Sequence, residues 1–166
     1  MATPAERATW QADRERVANR VHQLTSRGEC FQCRDLDTGG SVLGQQHVIV
    51  ETQHAKAVLA LDPRAPGHTV VVWKPHRHDF TELDEAETAT LFTLCRDVAS
   101  AMTEALAGVK RVYLVTMCDG PVNHLHVQLI PRYRESPIGS TRLVDQRGPL
   151  IDGAHIATAI AAILNG

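Results

Sequence analysis

The chain has 166 residues, of which 43% are hydrophobic and 22% charged, and its formal net charge is −2 at pH 7. This composition is typical of one soluble globular domain, and the small net charge excludes bulk electrostatic binding to a nucleic-acid backbone. No apolar run approaches the roughly 20 residues that span a bilayer, and the first residues lack the basic-then-apolar pattern of a signal peptide, so we expect a cytoplasmic protein without membrane contact.

The first part of the chain predicts a helix followed by three strands. Residues 4–27 carry apolar side chains at helical spacing, with Pro4 suited to the first turn and Gly28 to the position after the last. Cys30 and Cys33 follow in a tight turn, and residues 34–44 form a polar, glycine-rich stretch that predicts a loop. The three predicted strands are residues 47–51, 57–61 and 68–73.

The second part predicts the longest helix, two more strands and a short closing helix. An apolar stripe runs through residues 82–107, with acidic residues in the first turns, where the helix dipole favours them. The next elements are strands at residues 112–116 and from His124 onwards, and a helix at residues 154–164. This order predicts an α+β fold on an antiparallel sheet of about five strands. We expect one domain over residues 1–166, made of an N-terminal helix (1–27), a core (28–133) and a C-terminal tail with a short helix (134–166).

The core of the segment at residues 120–133 alternates strictly between polar and apolar residues over six positions, which predicts a half-buried strand. The polar residues are His124, His126 and Gln128, and the apolar residues are Leu125, Val127 and Leu129. Pro131 is expected to end the strand because it has no N–H to donate. A solvated surface strand is the alternative, but such a strand more usually carries Thr, Lys, Glu or Arg. This row of polar residues, none of which is Lys, Arg, Asp or Glu, therefore indicates a functional site.

Cys30 and Cys33 have the spacing of a metal-binding pair, which needs two more ligands to complete a tetrahedral zinc site. His76, at the end of a predicted strand, and His124, at the start of the polar row, are the candidates. An empty thiol pair and a thioredoxin-type redox pair are the alternatives, although no βαβ pattern surrounds the cysteines. We expect a structural zinc ion, which leaves His126 free for chemistry.

A neutral imidazole is a competent nucleophile for phosphorus, and the covalent intermediate divides one displacement into two. Such chemistry needs donors for the developing phosphoryl charge. Gln128 offers an N–H on the same strand face as His126, and the turn at residues 119–123 offers backbone N–H groups. Cys95, Cys118, His68 and His78 are interpreted as structural residues.

The run His124-Leu-His126-Val-Gln128-Leu-Ile-Pro-Arg-Tyr133 resembles the signature of the histidine triad (HIT) superfamily. The resemblance includes residues 58–72, with a Gly-His-Thr strand, the Lys-Pro-His ending at His76, and the Cys-x-x-Cys pair, and it covers roughly residues 28–133. It implies a homodimeric enzyme in which His126 attacks the α-phosphate of a nucleotide phosphoanhydride. It also implies zinc ligation by Cys30, Cys33, His76 and His124, and nucleotide contacts from Asp62, near the ribose, and Asn123.

Two departures from the HIT pattern affect the functional prediction. Gln128 stands where hydrolase branches usually carry His; this form resembles the galactose-1-phosphate uridylyltransferase branch and the dinucleoside polyphosphate phosphorylases. Because Gln cannot shuttle a proton, we expect the intermediate to wait for phosphate or a sugar phosphate. The loop at residues 119–123 is also shorter than in hydrolases. The alternatives are a hydrolase of dinucleoside polyphosphates or nucleoside phosphoramidates, and a non-catalytic nucleotide-binding module.

Overall fold

A computed structural model describes residues 2–139 and 147–166. Its helices and strands, in chain order, are α1 (Pro4–Thr25), α2 (Phe31–Asp37), β1 (Val48–Glu51), β2 (Ala55–Leu59), β3 (Thr69–Trp73), α3 (Glu85–Ala105), β4 (Val109–Val115), β5 (His126–Tyr133) and α4 (Gly153–Leu164). The strands form one antiparallel sheet in the order β1-β2-β3-β5-β4. The predicted α+β class, with five antiparallel strands, one long helix and flanking helices, is confirmed. Residues 140–146 of the predicted tail lie outside the described residues.

The main core lies between the sheet and the helices α3 and α4. Val127 and Leu129, on one face of β5, are fully buried there against the apolar stripe of α3. Full burial of such an aliphatic side chain contributes about 1.5–3 kcal/mol. The stripe includes Cys95, which is a core residue as expected. Because alternate residues of a strand face opposite sides, His126 and Gln128 lie on the other face of the sheet.

The start of β5 differs from the prediction, because His124 precedes the strand. The last pair between β3 and β5 joins Val72 to His126. Beyond it, only Leu125 is bonded across: its carbonyl accepts from the N–H of Trp73, and its N–H donates to the carbonyl of Arg77. The pairing of β3 with β5 has ended there, so His124 has no ladder partner, although its side chain lines the same cavity as His126 and Gln128.

The end of β5 also differs, because the strand continues through Pro131 to Tyr133. Pro131 pairs with Val112 of β4, whereas the pairing of β5 with β3 stops at Leu129. The missing N–H of Pro131 therefore falls where β3 offers no acceptor, so the proline is tolerated in the manner of an edge-strand residue. The prediction that Pro131 ends the strand was wrong.

Local hydrogen bonds move two other boundaries. The segment predicted as a loop begins with α2, whose first N–H groups are capped by the Cys30 side chain, which accepts from the N–H of Cys33. The second strand begins two residues early, because the Thr52 hydroxyl accepts from the N–H groups of His54 and Ala55 and closes a tighter turn. In the described ranges, 2–139 and 147–166, no helix is sufficiently long and apolar to cross a membrane.

Candidate functional site

Four side chains from separate parts of the chain converge in one cluster of metal-ligating groups. The ligand atoms of Cys30, Cys33, His76 and His124 all lie within 4.8 Å of one another. Nδ1 of His124 lies 3.3 Å from Sγ of Cys30 and 3.4 Å from Sγ of Cys33, and Nδ1 of His76 lies 3.3 Å from Sγ of Cys33. A tetrahedral zinc site with ordinary bond lengths places sulfur and nitrogen ligands about 3.5 Å apart. The cluster therefore has the donors and the spacing of such a site.

The histidines of this cluster are oriented by hydrogen bonds on their outer nitrogens. Nε2 of His124 lies 2.6 Å from the carbonyl oxygen of Trp73, to which it must donate, so the lone pair of Nδ1 faces the two thiols. Nε2 of His76 lies 3.4 Å from Nε2 of His78, whose Nδ1 contacts Glu82 at 3.1 Å. Outer partners of this kind set the tautomer and ring orientation of metal-binding histidines.

The electrostatics of the cluster also suit a cation. Burial, followed by the adjacent Cys30, raises the pKa of the Cys33 thiol to about 12. Burial lowers the pKa of His124, which keeps its imidazole neutral and its lone pair available. A bound dication reverses the penalty on the Cys33 thiol, because it favours the thiolate form directly. The two cysteines also lie at the start of α2, where the helix dipole favours negative charge.

His126 lies at the first position of β5 and lines a cavity of about 440 Å³. Its Nδ1 lies 2.9 Å from the carbonyl oxygen of His124 and must donate to it, so Nε2 carries the free lone pair. Within the described residues, Nε2 has no hydrogen-bond partner. The thiol of Cys118 approaches the same carbonyl at 3.8 Å. His126 is thus held in the tautomer that a nucleophile requires.

Gln128 lies two residues further along the same face of β5, roughly 6–7 Å from His126, in the wall of the same cavity. His68, which is 1% exposed, lies beside it. Nδ1 of His68 accepts the N–H of Arg64 at 3.2 Å, so its Nε2 carries the proton. This Nε2 is buried and near Gln128 without a hydrogen bond of ordinary geometry. Because Nε2–H of His68 is a donor, it favours the orientation of Gln128 in which the amide oxygen points towards His68. The amide N–H groups of Gln128 then point towards the cavity.

His68 was interpreted from the sequence as structural, yet it lies in the cavity wall. Burial lowers its pKa to about 4, and the nearby Arg147 acts in the same direction. The ring is therefore neutral near pH 7, and its Nε2–H can act as a hydrogen-bond donor without carrying charge. Its position after a glycine, at the start of a strand that pairs with β5, is the signal from which its role could have been found.

The two predicted nucleotide contacts differ in their surroundings. Asn123 lines the cavity, and its Oδ1 accepts the N–H of Gly120 at 2.6 Å, which holds the short loop before β5 closed. Asp62 also lines the cavity, but its Oδ2 is engaged by Arg147 at 2.7 Å and Arg14 at 3.3 Å. Sequence reasoning did not identify either arginine, because nothing in their local sequence indicates a contact with residue 62.

Comparisons with known proteins identify the same family. An uncharacterized HIT-like protein of Mycoplasma genitalium is 33% identical over 88 residues, which are 51% of this chain and 62% of that protein. The solved structure of a zinc-bound histidine triad family protein from Mycobacterium smegmatis has a TM-score of 0.65 and 21% identity, over 82% of this chain and 93% of that one. A uridylyltransferase structure has a TM-score of 0.61 and 19% identity, over 99% of this chain and 52% of that one. These two likenesses show the fold. Residues 44–135, more than half of the chain, match the family model of the HIT domain, so the chain belongs to the HIT family.

Proposed function

We propose that this protein transfers a nucleotidyl group from a phosphoanhydride to an anionic acceptor through a covalent intermediate on His126. The observation that carries the proposal is the hydrogen bond from Nδ1–H of His126 to the carbonyl of His124. It leaves a nucleophilic Nε2 on the wall of a cavity whose size suits a small-molecule ligand. HIT domains bind nucleotides, so a nucleotide is the substrate class that fits this cavity.

In the first half of the proposed reaction, Nε2 of His126 attacks the α-phosphorus. The P–N bond forms while the P–O bond to the leaving phosphate breaks, and the leaving group takes the electron pair. The His126 ring becomes positively charged, and the carbonyl of His124 stabilises it through the Nδ1–H bond. Gln128 donates an amide N–H to a non-bridging oxygen, where negative charge accumulates. In the second half, an acceptor oxygen attacks the same phosphorus and breaks the P–N bond.

The choice of an anionic acceptor follows from the proton chemistry of the cavity. Gln128 has no titratable proton, and the low pKa of His68, about 4, makes it a poor base. A water molecule must lose a proton to displace the histidine, whereas a phosphate oxygen is already ionised. A polyphosphate leaving group likewise departs without a general acid. Phosphorolysis or transfer is therefore favoured over hydrolysis, and phosphoanhydrides over phosphoramidates. The shared fold of a uridylyltransferase is compatible with this branch of the family.

We propose that the cluster of Cys30, Cys33, His76 and His124 holds a structural zinc ion. The Cys/His donor set and the zinc-bound structural neighbour support this assignment. Ligation would immobilise His124, whose carbonyl orients His126. We also propose that the protein is a homodimer. The edge strand β4, with its exposed Leu114, offers a surface on which a second copy can pack.

The test is product analysis with diadenosine tetraphosphate, with and without added phosphate, using His126→Ala as the inactive control. The proposal expects ADP and ATP that form only when phosphate is present. AMP and ATP formed at the same rate without phosphate would instead identify a hydrolase. Nucleotide binding with no product under either condition would identify a non-catalytic binding module.

A further inference from the structure

Two arginines outside the part of the chain that matches the HIT model meet on one carboxylate. Arg14, on α1, and Arg147, in the C-terminal segment, both contact Oδ2 of Asp62. A backbone hydrogen bond beside these residues also fixes the position of Arg147: the N–H of Gly148 donates to the carbonyl of Pro63 at 3.1 Å. Within the described residues, Oδ1 of Asp62 makes no hydrogen bond. This oxygen can therefore accept a hydrogen bond from a ligand, while Oδ2 contacts both arginines.

These arginines lie at the junction of two cavities. Arg147 and Asp62 line the cavity that contains His126. Arg14 and Asp62 line a second cavity of about 930 Å³ along α1. The two cavities share a wall, which consists of Phe31, Leu43, Leu61 and Asp62. The two arginines therefore lie on either side of Asp62, with Arg147 in the wall of the first cavity and Arg14 in the wall of the second.

The cluster carries an excess of positive charge. Two guanidinium groups and one carboxylate leave a single positive charge at Asp62. The other charged residues of the second cavity are already engaged: Arg16 pairs with Asp13, Arg20 donates to the carbonyl of Val42, and Glu6 caps α1. Arg14 and Arg147 are 50% and 36% exposed, so both have room to turn towards a ligand.

We propose that Arg14 and Arg147 bind a phosphate on O2′ or O3′ of the nucleotide ribose, and so select ribose-phosphorylated nucleotides over those with two free hydroxyls. The inference rests on the proposed function, in which His126 contacts the 5′ α-phosphate, and on the ribose contact that the resemblance to the HIT family implies for Asp62. Groups anchored on Asp62 then face the substituents of O2′ and O3′. Oδ1 of Asp62 accepts a hydrogen bond from the ribose hydroxyl that is not phosphorylated. The guanidinium groups donate pairs of hydrogen bonds to the phosphate oxygens. In dinucleotide-binding folds an acidic residue binds the free ribose 2′-hydroxyl, whereas an arginine accommodates a 2′-phosphate.

The test measures dissociation constants of the 166-residue, zinc-loaded protein by calorimetry for AMP, ADP, adenosine 2′,5′-bisphosphate and adenosine 3′,5′-bisphosphate. One of the two bisphosphates should bind at least about tenfold more tightly than AMP. Arg147→Gln and Arg14→Gln should each reduce that preference several-fold while leaving the ratio of ADP to AMP affinity unchanged. Arg147→Lys should retain part of the preference, since it keeps the charge. Arg16→Gln, which removes another arginine of α1 that lines the second cavity but does not contact Asp62, is the matched control and should retain all of it.

Two results would overturn the inference: equal or weaker binding of both bisphosphates relative to AMP, or a loss of the ADP preference in place of the bisphosphate preference in Arg147→Gln. The second result would assign the arginines to the 5′ phosphate chain. Thermal unfolding and zinc content identify any variant that is misfolded. If Arg147→Gln is misfolded, the bisphosphate preference of Arg147→Lys is compared with that of wild type instead. Failure of the proposed function is distinguishable, because it appears as missing phosphate-dependent products or a missing adduct on His126, whereas the inference is decided by ratios of dissociation constants alone.

Discussion

Acidification should destabilise this protein through His68 by a magnitude that follows from its burial. The ring is 1% exposed, and its pKa in the folded state is about 4, whereas the ordinary value is 6.5. The unfolded chain therefore binds a proton that the folded chain excludes between these two pH values. The contribution of neutral His68 to stability is complete above pH 6.5 and is lost as the pH falls towards 4.

The two pKa values determine the size of the effect. At pH 5 the unfolded state is stabilised by protonation of this one ring by about 2 kcal/mol, and the limit at lower pH is about 3 kcal/mol. The assay is urea unfolding of wild type and His68→Gln at pH 7 and pH 5. Carboxylates and the metal-binding groups titrate in both proteins, so the difference between the two pH dependences isolates His68.

The free energy of unfolding of wild type should fall by about 2 kcal/mol more than that of His68→Gln between pH 7 and pH 5. Gln is suited to this comparison because it keeps an N–H donor but does not titrate. Equal losses in the two proteins would mean that His68 is protonated in the folded state. The assignment of a neutral donor beside Gln128 would then be wrong.

The remaining predictions concern the metal cluster and the partition of the intermediate. Cys33→Ser should lower both the zinc content, measured by atomic absorption, and the melting temperature, because a structural metal contributes directly to folding; full zinc occupancy would contradict the ligand assignment. His126→Ala should lose all product formation with diadenosine tetraphosphate yet retain its zinc, because His126 is not a ligand; loss of zinc would place it in the metal site. Gln128→His should raise the ratio of hydrolysis to phosphorolysis by about tenfold or more, and an unchanged ratio would mean that Gln128 does not control the choice of acceptor.

The element order was predictable from the sequence because hydrophobic periodicity is a local property. The long amphipathic helix and the alternation around Val127 determine the layers without reference to distant residues. The ends of β5 depend instead on its neighbours. His124 lies outside the strand because the pairing with β3 ends at His126, and Pro131 stays in it because β3 has already ended. No pattern within residues 120–133 contains that information.

The candidate site divides in the same way. The spacing of Cys30 and Cys33, and that of His124 and His126, is visible in the sequence. The tautomers are not, because they depend on backbone carbonyl groups: that of Trp73 for His124, and that of His124 itself for His126. The contact of Arg147 with Asp62 spans 85 residues of the chain, and only the fold brings the two groups together.

The central claim is a covalent nucleotidyl intermediate on Nε2 of His126, and the most direct measurement is mass spectrometry of the intact protein mixed with diadenosine tetraphosphate in phosphate-free buffer. We expect an adenylyl adduct that peptide mapping locates at His126, and that disappears when phosphate is added, with release of ADP. Turnover of the substrate with no adduct at any time, or an adduct on another residue, would contradict the proposed mechanism.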